Sequence, residues 1–246
     1  MIRASYSYKL KFNPIVLLVG AVYSGIVATA RHFARILDFI IEPSGVTIEQ
    51  TWNGTGASNA FSLSITPAVV QNACLVACVD GLGNMAAPTS MTWNSITLAR
   101  QVKEDAILYA GTAIYAAVIP AGSLGVASNL ATVGGSFDTA YVTAYLCSGV
   151  HQATPVIATG TAPGSASEPH SITMAASVAN GMAIECGILS GSPYFGAVGA
   201  GQTAQPDTTT PYGSYKATTG ASAVMTHTLT NALSRNSMSA IALQPA

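Results

Sequence analysis

The sequence predicts an all-β chain: an antiparallel β-sandwich or barrel, preceded by an N-terminal arm with a short amphipathic helix. Three observations point there. After residue 44 the chain is built of short runs of β-branched and small residues, broken by Gly, Pro, Asn and Ser every 8–15 residues or so, the spacing of sandwich and barrel strands. Several runs alternate with period 2, as in Phe61, Leu63 and Ile65 against Ser62 and Ser64, which puts the apolar side chains on one face. Charged residues make up only 8% of the 246 residues, and 50% are hydrophobic. That balance excludes a disordered chain and a long coiled coil, both of which need abundant charge.

The net charge of −1 gives no clustered basic surface, so nucleic acid is not an expected partner. So few charges also leave little to keep monomers apart. Much of the surface is therefore expected to be covered by other chains or by lipid, and a homo-oligomer is expected. The charge is uneven. Residues 1–43 carry a net of +3 and residues 44–246 a net of −4. With the turn-forming Pro43-Ser44-Gly45, this divides the chain into an arm (1–43) and a sandwich domain (44–246).

Within the arm, Phe12 to Ala30 is uncharged, but Asn13, Pro14, Gly20, Ser24 and Gly25 interrupt it. It falls short of the roughly 20 apolar residues of a membrane span, so a membrane partner is not expected. Lys9, Lys11 and the small-x-small triplet Ala28-Thr29-Ala30 leave a secretory signal or membrane segment open beside an ordered arm or a strand pair. Next, Phe33, Ile36, Leu37, Ile40 and Ile41 recur at helical spacing, with Arg31, Arg35, Asp38 and Glu42 on the other face. This predicts an amphipathic helix stopped by Pro43. Its apolar stripe packs either on its own domain or on a neighbouring subunit, where those five residues would be the assembly contact.

In the body, strands are predicted over Val46–Trp52, Ala60–Ile65, Ala73–Val79, Ser90–Trp93, Ile96–Val102, Ala106–Val118, Leu130–Thr132 and Thr139–Cys147. Five more follow: His170–Met174, Met182–Leu189, Ser214–Ala217, Ala223–Leu229 and Met238–Leu243. Asn53-Gly54, Asp80-Gly81, Asn180-Gly181, Pro120-Ala121-Gly122 and Pro163-Gly164 read as turns. Asn53-Gly54-Thr55 is formally a glycosylation sequon, read here as a turn. Thr159–Pro169 and Gly191–Tyr215 read as long surface loops, and loops of that length usually bind something. Tyr194, Phe195, Tyr212 and Tyr215 lie in or beside the second loop. They either pack it onto the sandwich or form a surface patch for a subunit or a sugar.

Motifs for chemistry are few. Cys74 and Cys78 share a strand face but stand about 13 Å apart along it, too far for a disulfide. The four cysteines lie in apolar runs and read as buried free thiols, with a pairing such as Cys147 with Cys186 left open. Neither the cysteines nor the four histidines fall at zinc-like spacing, so no metal is expected. Gly199-Ala200-Gly201-Gln202-Thr203-Ala204 matches a dinucleotide fingerprint in form, but a Pro and a Thr run follow where a helix is required. No cofactor is expected. No G-x-S-x-G elbow occurs. His151, His170 and His227 lie far apart and no catalytic motif surrounds them, so no catalytic residues are predicted.

The run Pro88-Thr89-Ser90-Met91-Thr92-Trp93-Asn94-Ser95-Ile96-Thr97-Leu98 resembles the "VTWNGVALT" hairpin of β-sandwich domains in phage virion proteins and some bacterial surface proteins. Later features follow in similar order. These are Ile114-Tyr115 before Pro120-Ala121-Gly122, Ser148-Gly149-Val150, Val198 to Thr203, and a final strand, Ser239 to Leu243, before Gln244-Pro245-Ala246. The resemblance spans about residues 46–246. It implies a jelly-roll-like sandwich located in a virion, with other virion proteins as partners, in a decoration, minor capsid or tail-associated role and without enzymatic activity. The competing expectation is a secreted or membrane-tethered carbohydrate-binding module, with a host-surface glycan as ligand.

Overall fold

The computed structural model describes residues 45–57, 60–83, 86–107, 109–163, 170–190, 195–205, 211–229 and 235–246. The predicted helix and its stripe, Phe33, Ile36, Leu37, Ile40 and Ile41, lie outside the described residues. Among the described residues most are strand and none is α-helix, and every strand pair is antiparallel. The all-β, sandwich-like prediction holds.

The first eight strands are β1 (Thr47–Ala57), β2 (Ser62–Ile65), β3 (Cys74–Gly83), β4 (Ser90–Trp93), β5 (Ile96–Ile107), β6 (Tyr109–Val118), β7 (Ser128–Val133) and β8 (Thr139–Ser148). They make one sheet in the order β1-β8-β3-β6-β5-β4-β7-β2. The second half supplies β9 (Val156–Pro163), β10 (His170–Met174), β11 (Met182–Ser190), β12 (Phe195–Val198), β13 (Thr203–Ala204), β14 (Pro211–Ala217), β15 (Ala223–Leu229) and β16 (Arg235–Leu243). Of these, β13-β14-β11-β16-β9 form a middle sheet and β10-β15-β12 an outer sheet.

Alternation along the strands divides the apolar residues among three cores. Leu75, Ala77 and Val79 of β3 face one core, which also holds Trp93 of β4 and Leu130 of β7. Those strands come from the other end of the same sheet, so the first sheet curls over on itself. Cys74, Val76 and Cys78, on the opposite face of β3, meet Ile184 of β11 and Ile241 of β16 in a second core between the first and middle sheets. Ala183 and Met238, on the far side of the middle sheet, pack with Ile172 and Met225 of the outer sheet in the third. Each buried Leu, Ile, Val or Met side chain contributes about 1.5–3 kcal/mol, so strands walled in on both faces hold the layers together.

Several local expectations are corrected. Asn53-Gly54 is not a turn but lies inside β1, where Cβ on Gly54 would stand 3.1 Å from Leu63 and 3.2 Å from Phe61. Glycine is present for close approach rather than for reversal. Asp80-Gly81 likewise lies inside β3, because Asp80 is buried between neighbouring strands instead of solvated. The run Ala106–Val118 is two strands: β5 ends at Ile107 and β6 begins at Tyr109, with Ile107 opposite Ala110. The first predicted loop contains the end of β9, and the second contains β12, β13 and the start of β14. Small residues and threonines suit these strands because they pair in crowded layers. Cβ on Gly160, for example, would collide with Ile172. Asn180-Gly181 does turn the chain, with Asn180 at φ 63°, and Ala121–Ser123 is a single 3-10 turn.

Candidate functional site

The residues with most capacity for chemistry lie between the sheets. Glu185 comes from the middle of β11, otherwise an apolar strand, on the face turned toward the outer sheet. His227 comes from β15 of that sheet. Both are buried, and the imidazole Nε2 meets Glu185 Oε1. An ionised carboxylate only accepts, so the ring nitrogen is assigned as the donor. The same oxygen accepts from Ser214 Oγ of β14 at 2.6 Å and from Gln202 Nε2 at 3.2 Å. Gln202 Nε2 also donates to Ser214 Oγ at 2.7 Å. Its Oε1 accepts from the Thr226 backbone N–H at 2.8 Å and the Thr226 hydroxyl at 3.3 Å. One carboxylate oxygen thus joins two strands of the middle sheet, the outer sheet and the segment before β13.

His227 and Glu185 are 42 residues apart in sequence and adjacent in space, a pairing that short-range spacing does not reveal. The signal was present in the sequence. A lone carboxylate in an apolar strand needs a partner, because an unpaired buried charge is costly.

A Ser, a Glu and a His within one network invite comparison with a hydrolytic triad, and the connectivity differs. In a triad the imidazole stands between hydroxyl and carboxylate and takes the hydroxyl proton. Here the carboxylate stands between Ser214 and His227. Ser214 donates to an acceptor that holds its proton in place, and its side chain is fully buried. The arrangement ties the layers together, with the carboxylate rather than the imidazole as the bridge.

A second polar cluster joins the first sheet to the segment before β14. Tyr145 Oη of β8 donates to Gln205 Oε1 at 2.9 Å. Gln205 Nε2 donates to Asn53 Oδ1 of β1 at 2.8 Å and to Thr143 Oγ1 of β8. Thr143 Oγ1 donates to Asn53 Oδ1 at 3.0 Å. Gly213 leaves room for this: a Cβ there would collide with Gln205 Oε1. Burial pushes the Tyr145 phenol well above its ordinary range, with Cys78 and other nearby groups adding to it.

A third cluster lies between the first and middle sheets. The Thr112 hydroxyl of β6 hydrogen-bonds the hydroxyls of Ser237 at 3.1 Å and Ser239 at 2.8 Å on β16. Asp80 sits opposite Thr112 in the β3–β6 register. Burial holds its carboxyl well above the usual range, and a contact with Cys186 offsets this in part.

The aromatic residues predicted as a surface patch are only partly in view. Tyr194 lies outside the described residues, and of Phe195 and Tyr212 only the backbone is described. Tyr215 belongs to β14, half-buried, with its ring edge-on to Tyr145 at a centroid distance of 6.1 Å and an angle of 73°. It packs its strand onto the first sheet. All four cysteines are free and buried. Among the described residues there is no group of three or more His, Cys, Asp or Glu placed to hold a metal ion. No helix there is long and apolar enough to cross a membrane.

The chain matches no family model, no curated protein and no solved structure.

Proposed function

We propose that the chain is a non-enzymatic structural protein that acts by assembling with other chains, of the kind that builds a phage virion as a decoration, minor capsid or tail-associated component. The observation that carries this reading is the use made of Glu185, His227 and Ser214. They are tied to one another in a sealed contact between sheets, where catalysis would need them exposed and differently ordered. The low charge of the sequence supports assembly, and the Trp93-Asn94-Ser95-Ile96 hairpin supports the virion through its resemblance.

The test is made on protein from its native source, by intact mass and by imaging of what it co-purifies with. The expected result is a chain that keeps residues 1–30 and is a regular component of a particle. A mature chain that begins after Ala30 and binds a glycan array would overturn the proposal in favour of a secreted carbohydrate-binding module.

A further inference from the structure

The four cysteines all belong to the core between the first and middle sheets, and assembly gives them no role. Their placement is not equivalent. Cys78 of β3 stands opposite Ile114 of β6 in register. Cys186, across the interface on β11, holds its sulfur 4.0 Å from the carbonyl oxygen of Ala113, the residue before Ile114. Cys78 and Cys186 therefore meet the same stretch of β6, at Ala113 and Ile114, from neighbouring layers and inside one core. Cys147 faces Cys74 across the β3–β8 pairing. Cys74 is four residues along β3 from Cys78, about 13 Å by strand rise. The Cys147–Cys186 pairing that the sequence left open is therefore not the one that proximity favours.

We propose that Cys78 and Cys186 are a dithiol that closes to a disulfide between the first and middle sheets when the chain folds in the presence of a low-molecular-weight disulfide such as oxidised glutathione. One protein thiolate attacks the oxidant, breaking its S–S bond, and a glutathione thiolate leaves. The second protein thiolate attacks the mixed disulfide and releases the second glutathione. The two protein thiols lose two electrons and two protons, and the oxidant becomes two thiols. The bond forms before the sheets close. Afterwards both sulfurs are sealed, and burial pushes the Cys186 thiol well up, with Cys78 beside it adding to the effect, so that little nucleophilic thiolate remains. A link from residue 78 to residue 186 closes a long loop and constrains the unfolded chain.

The experiment refolds the full chain in a mixture of oxidised and reduced glutathione, blocks free thiols with N-ethylmaleimide and maps peptides without reduction. The expected result is one linked pair joining Cys78 to Cys186, with Cys74 and Cys147 alkylated, and a higher denaturation midpoint than the reduced chain. Four alkylated thiols in the soluble folded product would overturn the proposal, as would a link of Cys186 to Cys147 or of Cys74 to Cys147 in its place. A Cys74→Ala, Cys147→Ala double variant removes competing partners. It should still form the link, and a folded double variant with both thiols alkylated counts against the proposal.

Discussion

Glu185 Oε1 accepts from Ser214, Gln202 and His227, so its removal takes an acceptor from three donors at once. Breaking a buried pair by deleting one partner costs about 3–5 kcal/mol. Glu185→Leu and His227→Leu should each lose about that much. The double variant Glu185→Leu, His227→Leu should lose clearly less than the two singles combined, because apolar replacement removes both desolvation costs. Urea unfolding of the four chains measures this, and additive losses would show that the two side chains are not coupled. Asp80 gives a pH dependence. Its carboxyl is held well above the usual range by burial, so over that interval the folded chain binds more protons than the unfolded one. Stability from this group is then full below the unfolded value and falls as pH rises from about 4 toward the raised folded value. Asp80→Asn cannot ionise and should escape the fall. The gap between the two chains in denaturation midpoint should widen in the variant's favour between pH 4 and pH 8. A constant gap would mean that Asp80 is charged in the folded protein.

The hairpin of β4 and β5 shows what an element records in sequence. Trp93 pairs with Ile96 across a two-residue turn. Asn94 and Ser95 both have positive φ, 46° and 64°, the geometry of a type I′ turn. Asn tolerates that region, while Ser meets the left-handed penalty of about 1–2 kcal/mol. Ser95→Gly should therefore raise stability, by up to about 1 kcal/mol once the greater freedom of glycine in the unfolded chain is offset. Thermal unfolding of the variant checks this, and a lower midpoint would mean that the Ser95 side chain has a compensating role. Period 2 made strands such as Ser62–Ile65 and Met182–Leu189 legible. It failed for Thr159–Pro163 and for Phe195–Val198, where small residues and threonine pair in crowded layers and carry little hydrophobic signal. Asn53-Gly54 and Asp80-Gly81 misled for a related reason. Turn chemistry is local, and these residues are fixed by partners far away in the chain. The candidate site was the least legible part, since Glu185 and His227 meet only once two separate sheets are stacked.

At the scale of the whole molecule, three cores share their walls, so β3, β11 and β16 each serve two of them. The arm is argued from sequence alone. If Phe33, Ile36, Leu37, Ile40 and Ile41 dock on a neighbouring subunit, Leu37→Asp places a charge in an apolar contact and opens it. Loss of a Leu-sized contact, about 2–5 kcal/mol, weakens assembly more than tenfold. Occupancy in a reconstituted assembly should drop while the melting of the isolated chain stays nearly unchanged. A drop in melting would place the helix on its own domain.

The pairing of β1 with β8 also sets a clock. Thr47 and Ser148 are partners 101 residues apart. At a synthesis rate of about 5–20 residues per second, β1 waits about 5–20 s for its neighbour. During that interval its backbone donors and acceptors are open to any other extended chain. Its single formal charge, Glu49, offers little deterrent. Such a strand favours slow dilution of nascent chains or prompt capture by a chaperone, and crowded overexpression should convert it into the seed of an aggregate.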